Sequence, residues 1–343
     1  MKVLAIIQCW DNQDQVRGFT VGWMEKLAEK VDQLIILTLE QRQPSTRPNI
    51  IIYSLGKENY QGLWRRIYYL YQWHRQVRKI IKDYSPQIIF THMTPIYSVL
   101  AYPYAASKRI PIITWFLHPR THFIVKLAHW LSAKVVSATP DSYPYKKDKL
   151  AALGHGIDTD LFRPGGQSDN PPMILSVGRI SRVKSYETLL RAAQGLQVTI
   201  IGNPITDDDR EYFSEIKKYQ AEFLPALPRK ELVGWYHKCF LHVNPTSPGS
   251  GDKVNLEAMA CGRPALMATS AFADTLSGFE DKLIFRYQDE KDLADKVSYW
   301  LSLSAAEREK IGNVLRDRVV KNHSLDNLMS GLVNLFYENT LSG

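Results

Sequence analysis

The sequence predicts an α/β protein of two Rossmann-like domains facing across a cleft, and three observations carry that prediction. Short apolar runs alternate with longer amphipathic segments along the whole chain, the pattern of parallel strands joined by helical crossovers. Near the middle, Arg163-Pro164-Gly165-Gly166-Gln167-Ser168-Asp169-Asn170-Pro171-Pro172 interrupts the pattern with a polar, proline- and glycine-rich stretch, as linkers do. With 343 residues, each half is long enough to bury its own core. The domains are expected over residues 1–160 and 165–323, with a helix over about 324–341 packing back on the first.

In the first half, strands are expected at Lys2–Gln8, Gln33–Leu39, Ile50–Ser54, Gln87–Thr91, Pro111–Phe116 and Lys134–Ala138. In the second half they are expected at Met173–Val177, Gln197–Ile201, Glu222–Leu224, Leu241–Asn244 and Pro264–Ala268. Helices fill the gaps, most clearly at Ser185–Leu196 and Asn255–Cys261. In Ser324–Leu341, the side chains Leu325, Leu328, Leu332, Leu335 and Phe336 recur at helical spacing and make one apolar face. Leu63–Tyr84 sets Arg65, Arg66, Arg75, Arg78, Lys79 and Lys82 against the single acid Asp83, with Trp64, Tyr68, Tyr69, Tyr71 and Trp73 interleaved. That segment reads either as a helix lying on an anionic membrane or as a domain helix with a solvated basic face.

Composition narrows the function classes. Hydrophobic residues at 45% and charged residues at 23% are those of a globular chain. Cys9, Cys239 and Cys261 form an odd, widely spaced set without a CxxC pair, which fits a reducing compartment and argues against structural zinc. The apolar start Met1–Gln8 is too short for a signal peptide, and no run approaches the ~20 apolar residues of a transmembrane helix. The expected location is cytoplasmic, peripheral at the inner face of a membrane at most. A formal charge of +8 calls for an anionic partner. Nucleic acid is disfavoured as that partner because no recognition module is present. A nicotinamide dehydrogenase is disfavoured because no GxGxxG follows the first strand.

The chemistry concentrates between Met173 and Pro264. Gly178-Arg179 follow the strand Met173–Val177 directly, and Lys184 comes five residues after the arginine. In parallel α/β sheets ligands collect at the carboxyl ends of strands, so two cations at one strand mouth are placed to answer phosphate charge. Further on, Gly249-Ser250-Gly251 opens a helix in which Asp252 can cap, Lys253 adds charge, and Glu257 lies one to two turns inside. Free N–H groups at such a helix start favour an anion, and the carboxylate is placed to accept from ribose hydroxyls. Each piece alone also reads as solvated loop cations or an ordinary helix; together they are the parts of a nucleoside diphosphate site.

With these residues the chain resembles the retaining GT-B glycosyltransferases, specifically glycosyltransferase family 4. By order of elements the resemblance spans nearly the whole chain. Its motifs are Gly154-His155-Gly156-Ile157-Asp158-Thr159-Asp160-Leu161-Phe162-Arg163-Pro164, Val177-Gly178-Arg179 with Lys184, Phe223-Leu224 with Leu227-Pro228 and Glu231-Leu232, and Leu256-Glu257-Ala258-Met259-Ala260-Cys261-Gly262-Arg263-Pro264. In the first half only Trp115-Phe116-Leu117-His118 is diagnostic.

The resemblance implies that Arg179 and Lys184 bind and neutralise the leaving diphosphate and that Glu257 binds ribose. Gly178, Gly251, Asp252, Lys253 and Val254 then complete the donor site, Phe223 and Leu224 face the nucleobase, and His118 stands beside the transferred sugar. The loop from Cys9 to Phe19 departs from the glycine-rich turn of many relatives with polar residues; it is read as part of the acceptor site through Asp14, Arg17 and Gly18, joined by His92. No cofactor is implied and, without a DxD motif, no metal.

The implied function is a retaining, metal-independent transfer from a nucleoside-diphosphate sugar to a glycan or lipid-linked acceptor in cell-surface glycan synthesis. On the membrane reading of Leu63–Tyr84, an anionic membrane surface is a further expected partner; on the other reading it is not. One departure stands out: the family's E-x7-E pair would end at Glu257, but its first position is Gly249. That keeps a non-catalytic nucleotide-sugar-binding scaffold in view. A nucleotide-sugar 2-epimerase on the same fold is opposed by the linker and by the Leu256–Pro264 motif.

Overall fold

The structure, a computed structural model, describes residues 1–14, 17–57, 65–118, 120–166, 172–249 and 251–341, without the side chains of residues 65, 66 and 341. Gln15 and Val16 of the first loop, Leu63 and Trp64 of the basic segment, Ser250 and linker residues 167–171 lie outside the described residues. The chain divides into two compact units, Met1–Gly156 with Leu325–Gly343, and Ile157–Ser324.

The first unit is built on β1 (Lys2–Trp10), β2 (Gln33–Gln41), β3 (Ile50–Ser54), β4 (Ile88–His92), β5 (Ile112–Trp115), β6 (Lys134–Ser137) and β7 (Leu150–Ala152), with helices α1 (Phe19–Ala28), α2 (Arg65–Tyr84), α3 (Ile96–Ser107) and α4 (Phe123–Leu131). Its strands run in the order β3-β2-β1-β4-β5-β6-β7, every pairing parallel. The second unit carries β8 (Met173–Val177), β9 (Gln197–Ile201), β10 (Glu222–Leu224), β11 (Leu241–Asn244) and β12 (Ala265–Met267). Its helices are α5 (Tyr186–Ala192), α6 (Asp207–Ile216), α7 (Arg229–Lys238), α8 (Lys253–Ala260), α9 (Ala273–Leu276), α10 (Glu280–Leu283), α11 (Glu290–Ser302) and α12 (Ala305–His323). These strands run β10-β9-β8-β11-β12, again all parallel.

Helices on both faces explain why the strands are apolar almost throughout. In β1, alternation sends Val3, Ala5 and Ile7 into a core with Trp23 and Leu27 of α1, and Leu4 and Ile6 into a second core with Val77, Ile80 and Ala101 of α2 and α3. The first of these cores is completed by α13 (Leu325–Leu341), whose Leu328, Leu332 and Phe336 are fully buried there. The second unit has a core of its own, drawing on β8, β9, β11, β12 and helices α5 to α12.

Some elements differ from expectation. The strand β7 was not foreseen: it is three residues long and pairs only with β6, at the sheet edge. Helix α5 stops at Ala192 rather than running to Leu196, and the turn that follows it includes Gly195, whose φ of +86° breaks a helix. Ile157 and Phe162, assigned by sequence to the first domain or its border, are core residues of the second unit; Phe162 is sealed by the Arg229 guanidinium 5.0 Å from its ring.

Both sheets have a switch point at which strand order reverses, between β1 and β4 in one and between β8 and β11 in the other. Ligands of open α/β sheets bind outside the carboxyl ends of strands at such points.

Candidate functional site

At the carboxyl ends of β8 and β11, the second unit gathers most of the residues singled out by sequence. Gly178 leaves β8 with φ +150° and its N–H donates to Ile201 O at 3.0 Å. A side chain there would lie 3.0 Å from the Lys184 Cε and Nζ atoms, so glycine at this position lets the lysine fold back over the strand end. Lys184 Nζ donates to Asp252 Oδ2 at 2.6 Å and to Asn244 Oδ1 at 3.4 Å. The same Asp252 oxygen accepts from Asn244 Nδ2 at 3.0 Å and Thr246 Oγ1 at 2.8 Å.

Asp252 therefore does not cap α8 with its side chain, as expected from sequence. It occupies the N-cap position but makes no capping bond, because its carboxylate is committed to Lys184, Asn244 and Thr246. Burial alone would raise its pKa. The Lys184 charge, with the hydrogen bonds from Lys184, Asn244 and Thr246, instead holds it well below the usual carboxylate range.

Arg179 is also engaged. Its guanidinium contacts Asp209 Oδ2 at 2.7 Å, and the same oxygen accepts from the backbone N–H groups of Ile205 and Thr206 at 2.9 Å. Asp209 is the third residue of α6 and half of a capping box with Thr206. Burial opposes its ionisation, but the hydrogen bond from Arg179 and those from Thr206 and Ile205 outweigh it and bring the pKa to about 2. Arg179 thus stands over the strand end on a fixed carboxylate while its side chain stays 45% exposed, open enough to meet an anion.

Around α8 the arrangement is more buried than the sequence suggests. Glu257 is 6% exposed and receives Arg229 Nη2 at 3.0 Å and the Tyr236 hydroxyl at 3.4 Å. Its expected freedom to meet ribose is therefore shared with two protein donors. Lys253 is half-buried, and burial, with Arg229 nearby, pushes its ammonium below the usual lysine value. Gly251 and Val254 are half-buried at the start of α8. Phe223 and Leu224 close the edge strand β10, half-buried, with Phe223 edge-on to Phe213 at 5.4 Å. Gly249 has φ +87° and open space where a side chain would go; a glutamate would fit there only in the left-handed backbone that L-residues resist.

In the first unit, His118 follows β5 and is exposed, its Nδ1 accepting from the Arg120 N–H at 3.1 Å. His92 does not present itself to an acceptor. It is 3% exposed and set among the rings of Phe19, Trp23, Phe90 and Trp115. Arg17 forks onto Asp14 with Nε at 3.0 Å and Nη2 at 2.6 Å, and reaches Glu40 at 3.2 Å. Gly18 N donates to Asp14 O at 2.9 Å, and a Cβ at Gly18 would fall 2.5 Å from that oxygen, so the loop can close only with glycine there. Asp14 and Arg17, with Asp11, Glu40 and Arg42, line a cavity of about 500 Å³ next to the carboxyl end of β1. Among the described residues no group of three or more His, Cys, Asp or Glu side chains is arranged to hold a metal ion, and no helix is long and apolar enough to cross a membrane.

Known proteins resemble this chain in sequence over part of its length and in fold over nearly all of it. Residues 182–334 match the family described as glycosyl transferase-like. Across the full length, the fold superposes on sucrose-phosphate synthase from Thermosynechococcus elongatus with a TM-score of 0.81, at 16% identity and covering 100% of both chains. It likewise matches Anabaena HepE in complex with UDP and glucose, with a TM-score of 0.75, 13% identity, and 98% and 99% of the two chains covered. Residues 182–334 are thus similar to glycosyl transferase-like proteins, and the chain has a GT-B fold.

In sequence, it is 28% identical over 217 residues to a D-inositol 3-phosphate glycosyltransferase of Frankia alni, covering 51% of this chain and 53% of that one. A namesake from Mycolicibacterium smegmatis is 28% identical over 44% of this chain and 40% of its own. The chain thus spans about half or less of the length of these curated relatives.

Several residues of this site escape a reading of sequence alone. Asp209, Asn244, Thr246, Arg229 and Tyr236 hold the cations and Glu257 in place. Only Asp209 left a sequence signal, since Thr206-x-x-Asp209 ahead of a helix is a capping-box spacing. The others come from strands and helices that meet at the site only after folding.

Proposed function

We propose that the protein is a retaining, family 4-like glycosyltransferase that takes a sugar from a nucleoside-diphosphate donor without a metal ion. The observation that carries the reading is the pairing of Arg179 and Lys184 at the β8–β11 switch point of a GT-B fold, each aligned by a carboxylate and both at the strand mouth. A diphosphate entering there would meet two cations that Asp209 and Asp252 already align. Preformed positive charge at the departing phosphate is what such a transfer needs. The departing phosphate would take the acceptor proton on the same face of the sugar, so no separate general base is required of the protein.

Because HepE is found with UDP and with UDP-glucose, a uridine donor is the first to try. Glu257, Phe223 and Leu224 are assigned to the nucleoside, and His118 to the transferred sugar by family resemblance. For the acceptor, the cavity lined by Asp11, Asp14, Glu40, Arg17 and Arg42 has three carboxylates against two guanidinium groups. That balance suits a hydroxyl-rich glycan better than a phosphate, although the relatives' names point to phosphorylated acceptors. The cell-surface role, a lipid-linked acceptor and docking on an anionic membrane through the basic face of α2 belong to the same proposal. Exposed Ile67, Leu70 and Tyr71 on that helix support the docking.

A thermal-shift screen against UDP, GDP, ADP and their sugar conjugates, with and without a chelator, tests the donor site. A selective shift that survives the chelator, followed by donor turnover, supports the reading. Binding without transfer or hydrolysis would favour the scaffold, which Gly249 keeps in view. Flotation with anionic but not neutral liposomes tests the membrane role; equal binding to both would end it.

A further inference from the structure

On the edge of the first sheet away from the switch point, the chain forms a second cavity, of about 650 Å³. It lies at the amino ends of β4 and β5, where Gln87 and Pro111 enter those strands, and α13 adds Asn339 and Thr340 to its wall. Its volume falls within the roughly 300–1,000 Å³ of small-ligand sites.

The charge of its lining is one-sided. Arg78 and Lys82 come from the last turns of α2, and Lys108 and Arg109 from the turn after α3, with no carboxylate among the lining residues. None of the four makes an ion pair among the described residues. Arg78 instead lies 5.7 Å from the centre of the Tyr104 ring. Cations near helix C-termini do offset the helix dipole, but one per helix serves that purpose. Crowding two pairs around one hollow adds repulsion that no internal acid relieves. Arg109 moreover takes a left-handed backbone, φ 54°, at a helix end where glycine is the usual residue. Ile81, Pro86, Ile110 and Pro111 give the hollow an apolar floor.

We propose that this cavity is a binding site for a phosphate-bearing polyanion, separate from the candidate donor site. The phosphates would be held by Arg78, Lys82, Lys108 and Arg109, with the apolar floor under the rest of the ligand. Arg78 and Lys82 continue the exposed stripe of α2 that begins with Ile67 and Tyr71, so the phosphate can belong to a soluble molecule or to the headgroup of an anionic lipid.

The test uses the full chain carrying Arg179→Ala and Lys184→Ala, which removes phosphate binding at the donor site, titrated calorimetrically with inorganic pyrophosphate. One equivalent should bind, and adding Lys82→Gln and Arg109→Gln should weaken it at least tenfold, with the melting temperature unchanged. Should that combination fail to fold, Arg78→Gln with Lys108→Gln makes the same test. Absence of binding in the parent, or equal affinity after the cavity substitutions, overturns the proposal.

Cosedimentation with phosphatidylglycerol vesicles separates the two sources. Vesicle binding that pyrophosphate displaces and the cavity substitutions abolish assigns a lipid headgroup. Pyrophosphate binding with no such vesicle binding assigns a soluble ligand. Because the nucleotide screen reads Arg179 and Lys184 and this titration is made without them, either reading can fail while the other stands.

Discussion

Replacing Asp252 with alanine should expose what holds the donor-site cations in register. The substitution removes the acceptor shared by Lys184 at 2.6 Å, Thr246 at 2.8 Å and Asn244 at 3.0 Å. Thr246 keeps a bond to Asn244 Oδ1, and Lys184 keeps only its 3.4 Å contact to that same oxygen. The Asn244 amide, 2% exposed, is left with a donor unmade. A buried donor without a partner costs about 1–3 kcal/mol, and a half-buried ammonium stripped of its carboxylate costs a similar amount. The sum, about 2–6 kcal/mol, should lower the melting temperature of the second unit by on the order of 10 °C.

A nucleoside diphosphate returns negative charge to Lys184, so at saturation it should raise the melting temperature more in Asp252→Ala than in the parent chain. The pH dependence has a definite sign. The Asp252 carboxyl is held below its unfolded value, so its contribution is complete above about pH 4 and is lost as pH falls further. Parent and variant should therefore converge in acid. A melting temperature within about 1 °C of the parent, or a smaller nucleotide shift in the variant, would refute this account of the Lys184 pair.

Arg179→Ala and Lys184→Ala should each lower turnover by about 10²–10³, read as nucleoside diphosphate release; near-normal rates in both would remove them from the mechanism. His242 is fully buried, and burial, with Lys184 nearby, pushes it down to about 3. The unfolded chain takes this proton first, so stability is complete above about pH 6.5 and falls below it by about 1.4 kcal/mol per pH unit. Urea unfolding between pH 7 and 5 should show about 2 kcal/mol of this loss, which His242→Phe should abolish. Leu332→Ala in α13 should cost about 2–5 kcal/mol, with faster hydrogen exchange in β1 and α1 and none of the loss in β8 to β12.

Much of the second unit was legible because its strands, the edge strand β10 apart, are buried on both faces. β8, β9, β10 and β11 fall on their expected residues, each a short strand between loops. Contacts across long separations were not legible. Arg179 and Asp209 are thirty residues apart and meet only once β8, β9 and α6 are assembled, and nothing in either segment names the other. The burial of His92 was legible in a different way. Alternation along β4 puts it on the face of Ile88 and Phe90, both core residues under α1, so the strand period already pointed inward while its place at the strand end suggested a ligand. Gly249 was visible as a departure, but its left-handed backbone was not.

The helix α13 lies beyond the whole second unit in sequence and yet fills the core beside α1 and β1. During synthesis the first unit is therefore unfinished until the second has been made. Val3, Ala5, Ile7 and Trp23 wait with one side uncovered while the intervening residues emerge, a delay set by ribosome speed rather than by any local folding rate. The two units differ in this respect: the second closes on contiguous chain, and the first depends on a contact spanning nearly the entire sequence, the kind that is slow to form. A nascent chain halted before α13 would be a client for a chaperone, and destabilising changes in α13 should reduce the yield of folded protein in cells more than the melting temperature of the finished molecule suggests.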